Sequence, residues 1–176
     1  AEEKTRELGK IESFTDEQAK ELYKIIGLGA LKYFVLRVNP YKKIIFNPEE
    51  SIDFHGHTGP FIQYTHARIR AIMRKGGEAV ISSQASTLAD VERELIIQLS
   101  EYENVVRAAA EKYDPSEVAN YIYNIAKLYN KFYHDLPILS AEKEEEKNLR
   151  VALSNQTGAT IKKGMKLLGI DVPEKM

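Results

Sequence analysis

The chain has no cysteine and no tryptophan among its 176 residues. Without thiols it can form no disulfide, thiolate metal centre or cysteine nucleophile, and a reducing cytoplasm is the expected setting. Long apolar runs are also missing. No stretch approaches the roughly 18 apolar residues of a membrane span, and no charged-then-apolar leader opens the chain, so neither a membrane partner nor a signal peptide is expected. Charge of one sign is lacking too: 25 Lys and Arg stand against 26 Asp and Glu, a net charge of -1. That balance excludes the broadly basic surface of a non-specific nucleic-acid binder, so any RNA affinity must be local. What remains is ordinary for a soluble protein, with 43% hydrophobic and 29% charged residues. The length suffices for one real core or two small ones.

The pattern is helical almost throughout. Residues Ala1 to Phe14 read as a partly ordered leading segment, followed by the capping box Thr15-x-x-Gln18. Behind it Ala19, Leu22, Ile26, Ala30 and Tyr33 recur at helical steps, with Gly27 and Gly29 allowing close approach of another helix and an end near Val38, before Asn39-Pro40. Tyr41 to Phe46 is the only stretch that reads as a strand. A second helix should open at about Pro60 and stop at Gly76-Gly77, with Arg68, Arg70, Arg74 and Lys75 off its apolar stripe. Glu78 to Thr87 reads as a linker, which places a boundary near residue 85. Asp90 to Lys112 predicts a long or once-broken helix. Pro115 opens another that stops before Pro137, and a last helix, capped near Ser140, carries acids in its first turn and ends on Gly169. The expected fold is all-α, with residues 1–85 a helical connecting region and 86–176 a small helical bundle. Such a bundle says nothing by itself about function.

Particular letters say more. Asp53-Phe54-x-Gly56-x-Thr58-Gly59-Pro60-Phe61-x-Gln63-Tyr64-x-x-Ala67-Arg68 places about ten dissimilar residue types in order. The segment resembles the one in arginyl-tRNA synthetases that follows the second nucleotide-binding signature. It departs at His55, where that family usually carries an acid, and at His57, where it carries Asn or Asp. IGLGALKYF resembles the helix after the family's catalytic half, and PSEVANYIYNIAKLYNKFYHDLPIL, NLRVAL and KKGMKLLGIDVPEKM resemble its C-terminal anticodon-binding domain. HIGH-type and KMSKS-type loops are not in the sequence.

The resemblance therefore implies a helical bundle of the class I synthetase anticodon-binding type, preceded by a short helical linker region. It implies a C-terminal, tRNA-binding piece of an arginine-tRNA ligase, inactive alone, whose full-length parent would use ATP and Mg to join arginine to tRNA. The implied partners are tRNA(Arg) and the remainder of the synthetase chain, with the piece itself monomeric and holding no cofactor. The alternative is a helical protein-interaction module with no RNA function.

Candidate contacts cluster late in the chain. Tyr129 and Tyr133 lie four residues apart, one above the other on a helix. Unpaired bases stack on such rings at about 1–3 kcal/mol each, while Lys and Arg hold phosphates. Read from the residues alone, the tyrosines are better taken as bundle core with their hydroxyls at the rim. The resemblance assigns Tyr129, Tyr133 and Met176 to the anticodon pocket and Arg150 to the same surface. Lys162 and Lys166, in the last turns of the final helix, are expected to reach RNA phosphates. Asp53, His55 and His57 have the residue types of a zinc site, but no fourth ligand is nameable and no metal is expected. No catalytic residue is expected either.

Overall fold

A computed structural model describes residues 14–76 and 87–176. The expected leading segment, apart from Phe14, and nearly all of the expected linker with the boundary near 85, lie outside the described residues. Seven helices follow in order among the described residues: α1 Asp16–Leu36, α2 Pro48–Ser51, α3 Gly59–Gly76, α4 Asp90–Ser100, α5 Tyr102–Lys112, α6 Pro115–Asp135 and α7 Glu144–Leu167.

Local chemistry sets most of the ends. Thr15 accepts a hydrogen bond from the Gln18 amide while the Gln18 side chain accepts one from the Thr15 amide, closing the capping box of α1. Thr58 Oγ1 receives the Phe61 N–H at the start of α3. The expected long helix is broken once, at Glu101, into α4 and α5. Tyr113, in the left-handed region at φ 52°, ends α5, and Asp114 caps α6 by accepting the Ser116 N–H. The last helix starts at Glu144, later than a Ser140 cap would place it, and Lys143 makes no side-chain cap bond. Its acidic first turn, Glu144 to Glu146, offsets the dipole instead. At the other end Gly169, at φ 68°, reverses the chain, with Gly169 N–H on Lys166 O and Ile170 N–H on Met165 O. Glycine fits this conformation at no steric cost.

The expected strand does not form. Tyr41 and Ile45 are each 91% exposed, and the segment has no neighbouring strand among the described residues. A six-residue stretch of strand-favouring Tyr, Ile and Phe with two lysines, lacking a ladder partner, gains nothing from extension beyond local contacts. Here the main contact is Phe46, edge-on to Phe34 at 5.2 Å.

One continuous core takes Tyr33 from α1, Ile62, Ile69 and Ile72 from α3, Leu95 from α4, Ile122, Ile125, Tyr129 and Phe132 from α6, and Ile161 and Met165 from α7. Helices approach closely where α3 crosses its neighbours. A methyl group on Gly59 would stand 2.7 Å from the Gly29 carbonyl oxygen, and one on Gly158 2.8 Å from Ile69 Cγ2. α3 is therefore buried on more of its circumference than one stripe allows, and Gln63, Thr65 and His66 lie inside with the isoleucines. A smaller cluster, Leu22, Ile26 and Phe54, is covered by Phe14, Tyr64 and Met176.

Candidate nucleic-acid interface

The exposed side of α3 faces the end of α6, the turn after it and the chain's last residues across an open cavity of about 690 Å³. Its lining includes the rings of Phe14, Tyr64 and Tyr133, the Met176 side chain, and four cations, Arg68, Arg74, Lys75 and Lys175. Among the described residues no carboxylate side chain lines it. Arg68 organises the polar wall. Its guanidinium stacks 4.9 Å from the Tyr64 ring centroid and 4.8 Å from that of Tyr133, and an NH group donates to Asn130 Oδ1. The Asn130 amide in turn donates to Thr65 Oγ1 at 2.8 Å and to the Ala126 carbonyl, so α3 and α6 are joined under the cation. A guanidinium fixed between two tyrosines is preorganised to meet a phosphate or a base edge.

Of the residues expected to bind RNA, the structure brings Tyr133 and Met176 together and separates the others. Tyr133 is 43% exposed. Tyr129 needs correction: its ring is fully buried against Phe132, its hydroxyl donates to Ser154 Oγ at 3.0 Å, and burial pushes its phenol well above the ordinary tyrosine range. A ring with no exposed face cannot stack on a base. Four-residue spacing puts both tyrosines on one helix face, but α7 covers only the first. Arg150 is corrected likewise. It is 7% exposed, its Nε donates to Glu92 Oε1 at 2.8 Å, and its NH groups donate to the Pro137 carbonyl and Glu146. Its task is to tie α4, α7 and the Pro137 turn together, and Pro137 lines the cavity. Lys162 lies away from the cavity, 2.9 Å from Glu174 Oε1. Lys166 is exposed in the last turn of α7 and does not line the cavity either.

The three α3 cations are the residues that sequence reasoning saw but did not assign. They stand out as the polar face of an amphipathic helix, yet only the fold brings that face opposite Tyr133 and Met176. The histidines divide by burial. His55 is exposed and His57 stacks on Tyr123 at 3.8 Å between centroids. Among the described residues no group of three or more His, Asp or Glu side chains converges as a metal site.

Burial, with Arg37 adding to it, holds His57 below the ordinary value of 6.5, and burial also lowers His66, offset only in part by the Pro173 carbonyl and Glu174. The folded chain thus resists protons that the unfolded chain accepts. Stability is fully present above about pH 6.5 and is lost as pH falls from there towards the depressed folded values. Burial alone would raise the Glu174 carboxyl, but bonds from Lys162 and Arg70 outweigh it and hold it below 4.5, so a second loss is expected as pH falls through that region. A thermal midpoint constant from about pH 8 to about pH 5 would contradict the histidine assignment.

The DALR anticodon binding domain family model matches residues 62–176. The chain belongs to that family. The match takes in α3 from Ile62 onward, α4 to α7, and every cavity-lining residue except Phe14. The arginine-tRNA ligase of Parabacteroides distasonis is 49% identical over 181 aligned positions, covering 100% of the chain and 30% of the relative. The ligase of Flavobacterium psychrophilum is 49% identical over 176 positions, covering 100% and 29%. The chain therefore spans about 30% of the length of the curated relatives it matches. Among solved structures, the arginyl-tRNA synthetase of Thermus thermophilus aligns with a TM-score of 0.85 and 34% identity over 93% of this chain and 28% of that one. The Plasmodium falciparum synthetase, at 22% identity and a TM-score of 0.77 over 90% of this chain and 28% of that one, shares the fold. In this DALR domain, as expected from the sequence, the matching positions belong to an all-α bundle.

Proposed function

We propose that this chain is the anticodon-binding part of an arginine-tRNA ligase and receives the tRNA anticodon loop in the cavity between α3 and the end of α6. The observation that carries this is the lining: three rings, a methionine and four cations, with no carboxylate side chain among the described residues. Splayed loop bases need ring faces and apolar surface, their phosphates need cations, and a carboxylate would repel the phosphates. Tyr133 and Met176 face the bases, with Arg68, Arg74, Lys75 and Lys175 around them, while Lys162 and Lys166 are left to phosphates beyond the loop. The chain holds no cofactor for this. ATP, magnesium and arginine belong to the remainder of the polypeptide, so the isolated chain performs no aminoacylation. The contact with that remainder would use the exposed apolar residues Leu28, Leu31 and Val35, which share a face of α1.

The test is titration of an arginine anticodon stem-loop at low salt. Tyr133→Ala should weaken binding by roughly 1–3 kcal/mol and narrow the gap to a stem-loop with another anticodon. Lys75→Ala should weaken all loops alike and lower the slope of log K against log salt by about one. Equal affinity of the parent chain and a folded Tyr133→Ala variant would remove Tyr133 from the site.

A further inference from the structure

The last segment, Gly169 to Met176, is itself neither helix nor strand, yet its carbonyls are captured at every second residue. Lys32 Nζ donates to the Gly169 carbonyl, Gln63 Nε2 to that of Asp171 at 2.8 Å, and His66 Nδ1 bonds that of Pro173 at 2.9 Å. Beyond them Arg74 donates to the Glu174 carbonyl at 2.9 Å, and Met176 reaches the cavity and packs on the Leu22, Ile26 and Phe54 cluster.

Gln63 differs from the other holds. It is fully buried, and its amide nitrogen donates twice, to Asp171 O and to Ile25 O of α1 at 3.1 Å. Its Oε1 has no hydrogen-bond partner among the described residues. A buried amide with one orphaned oxygen is costly, and what offsets that cost here is its two donated bonds. Gly29 clears the space, because a side chain there would collide with the Gln63 amide. The ion pairs on Glu174 are a weaker hold, since Arg70 and Glu174 are 40% and 49% exposed and water screens them.

We propose that Gln63 is the positioning residue of the anticodon cavity: by spending one amide hydrogen on α1 and the other on the final segment, it sets where Met176 stands, and through Met176 the affinity and selectivity for the RNA loop. This rests on the anticodon-binding reading for its RNA half and on nothing but the chain for its positional half. Gln63→Leu keeps volume and removes both donors.

Backbone 15N order parameters of Asp171, Val172 and Glu174 to Met176 in the free chain should fall from the rigid range of about 0.85 to below about 0.6, while α6 is unchanged. Stem-loop affinity should fall by about five- to tenfold and, in a Met176→Ala background, Gln63→Leu should cost nothing further, because both changes remove one contact. Gln63→Met likewise removes both donors and adapts its shape to the site, and it is the variant to read if Gln63→Leu does not fold. Unchanged order parameters at the final segment in either folded Gln63 variant, or losses of affinity that multiply in the double variant, would overturn the proposal. A parent chain that binds no stem-loop would instead sink the anticodon reading, and the order parameters would still decide whether Gln63 positions the segment.

Discussion

Arg150→Ala is expected to destabilise the chain by about 3–5 kcal/mol, because it strands the Glu92 carboxylate in a site where that side chain is 3% exposed. For a chain of this size that is a fall of roughly 6–20 °C in Tm. The loss comes less from the attraction itself than from the charge left behind. A double variant, Arg150→Met with Glu92→Leu, should therefore recover most of the stability, since replacing both members of a buried pair with apolar residues is often neutral or better. Thermal and denaturant unfolding of the two variants makes the comparison. If Arg150→Ala holds its Tm within about 2 °C and instead loses stem-loop affinity, the guanidinium meets RNA as the resemblance implied, and its burial is misassigned.

Tyr129→Ala is the second large effect, about 3–5 kcal/mol for truncating a buried ring among Phe132, Ile125 and α7. Tyr129→Phe separates the ring from its hydroxyl. It gives up one bond to Ser154, whose own hydroxyl still donates to the Arg150 carbonyl, so about 0.5–1.5 kcal/mol is expected. Neither substitution should change the affinity of the folded fraction for an anticodon stem-loop. A Tyr129→Phe chain of normal Tm that binds the stem-loop several-fold more weakly would return Tyr129 to the interface.

These two residues mark where sequence reading stops. Helix starts are legible wherever a side chain speaks locally, as Thr15 and Gln18 do at α1 or Pro115 after Asp114 at α6. The start of α7 is not, because no cap side chain bonds its first turn. Tyr41 to Phe46 fails for a related reason: strand propensity is a statement about neighbours, and none is there among the described residues. For the cavity, the residue types are visible and their depth is not. Whether a tyrosine four residues from another stacks on a base or fills a core depends on the helix lying over it. Whether an arginine meets phosphate or a buried acid depends on Glu92, 58 residues away. Gln63 enters the sequence reading only as part of a family pattern, since its partners at Ile25 and Asp171 lie on segments far apart in sequence.

The side-chain holds on the final segment also set an order of events during synthesis. Lys32 and Gly169 are 137 residues apart, Gln63 and Asp171 108, His66 and Pro173 107, and Arg70 and Glu174 104. At roughly 5–20 residues per second, α1 and α3 leave the ribosome some 5–30 s before the residues they grip. During that interval Gln63 can reach the Ile25 carbonyl of α1, but its second amide hydrogen and the His66 ring have no Asp171 or Pro173 carbonyl to meet. The cavity wall is thus completed only after Gly169 to Met176 have followed α1 and α3 out, so on the proposed reading a product cut short of that segment lacks part of its RNA-binding face.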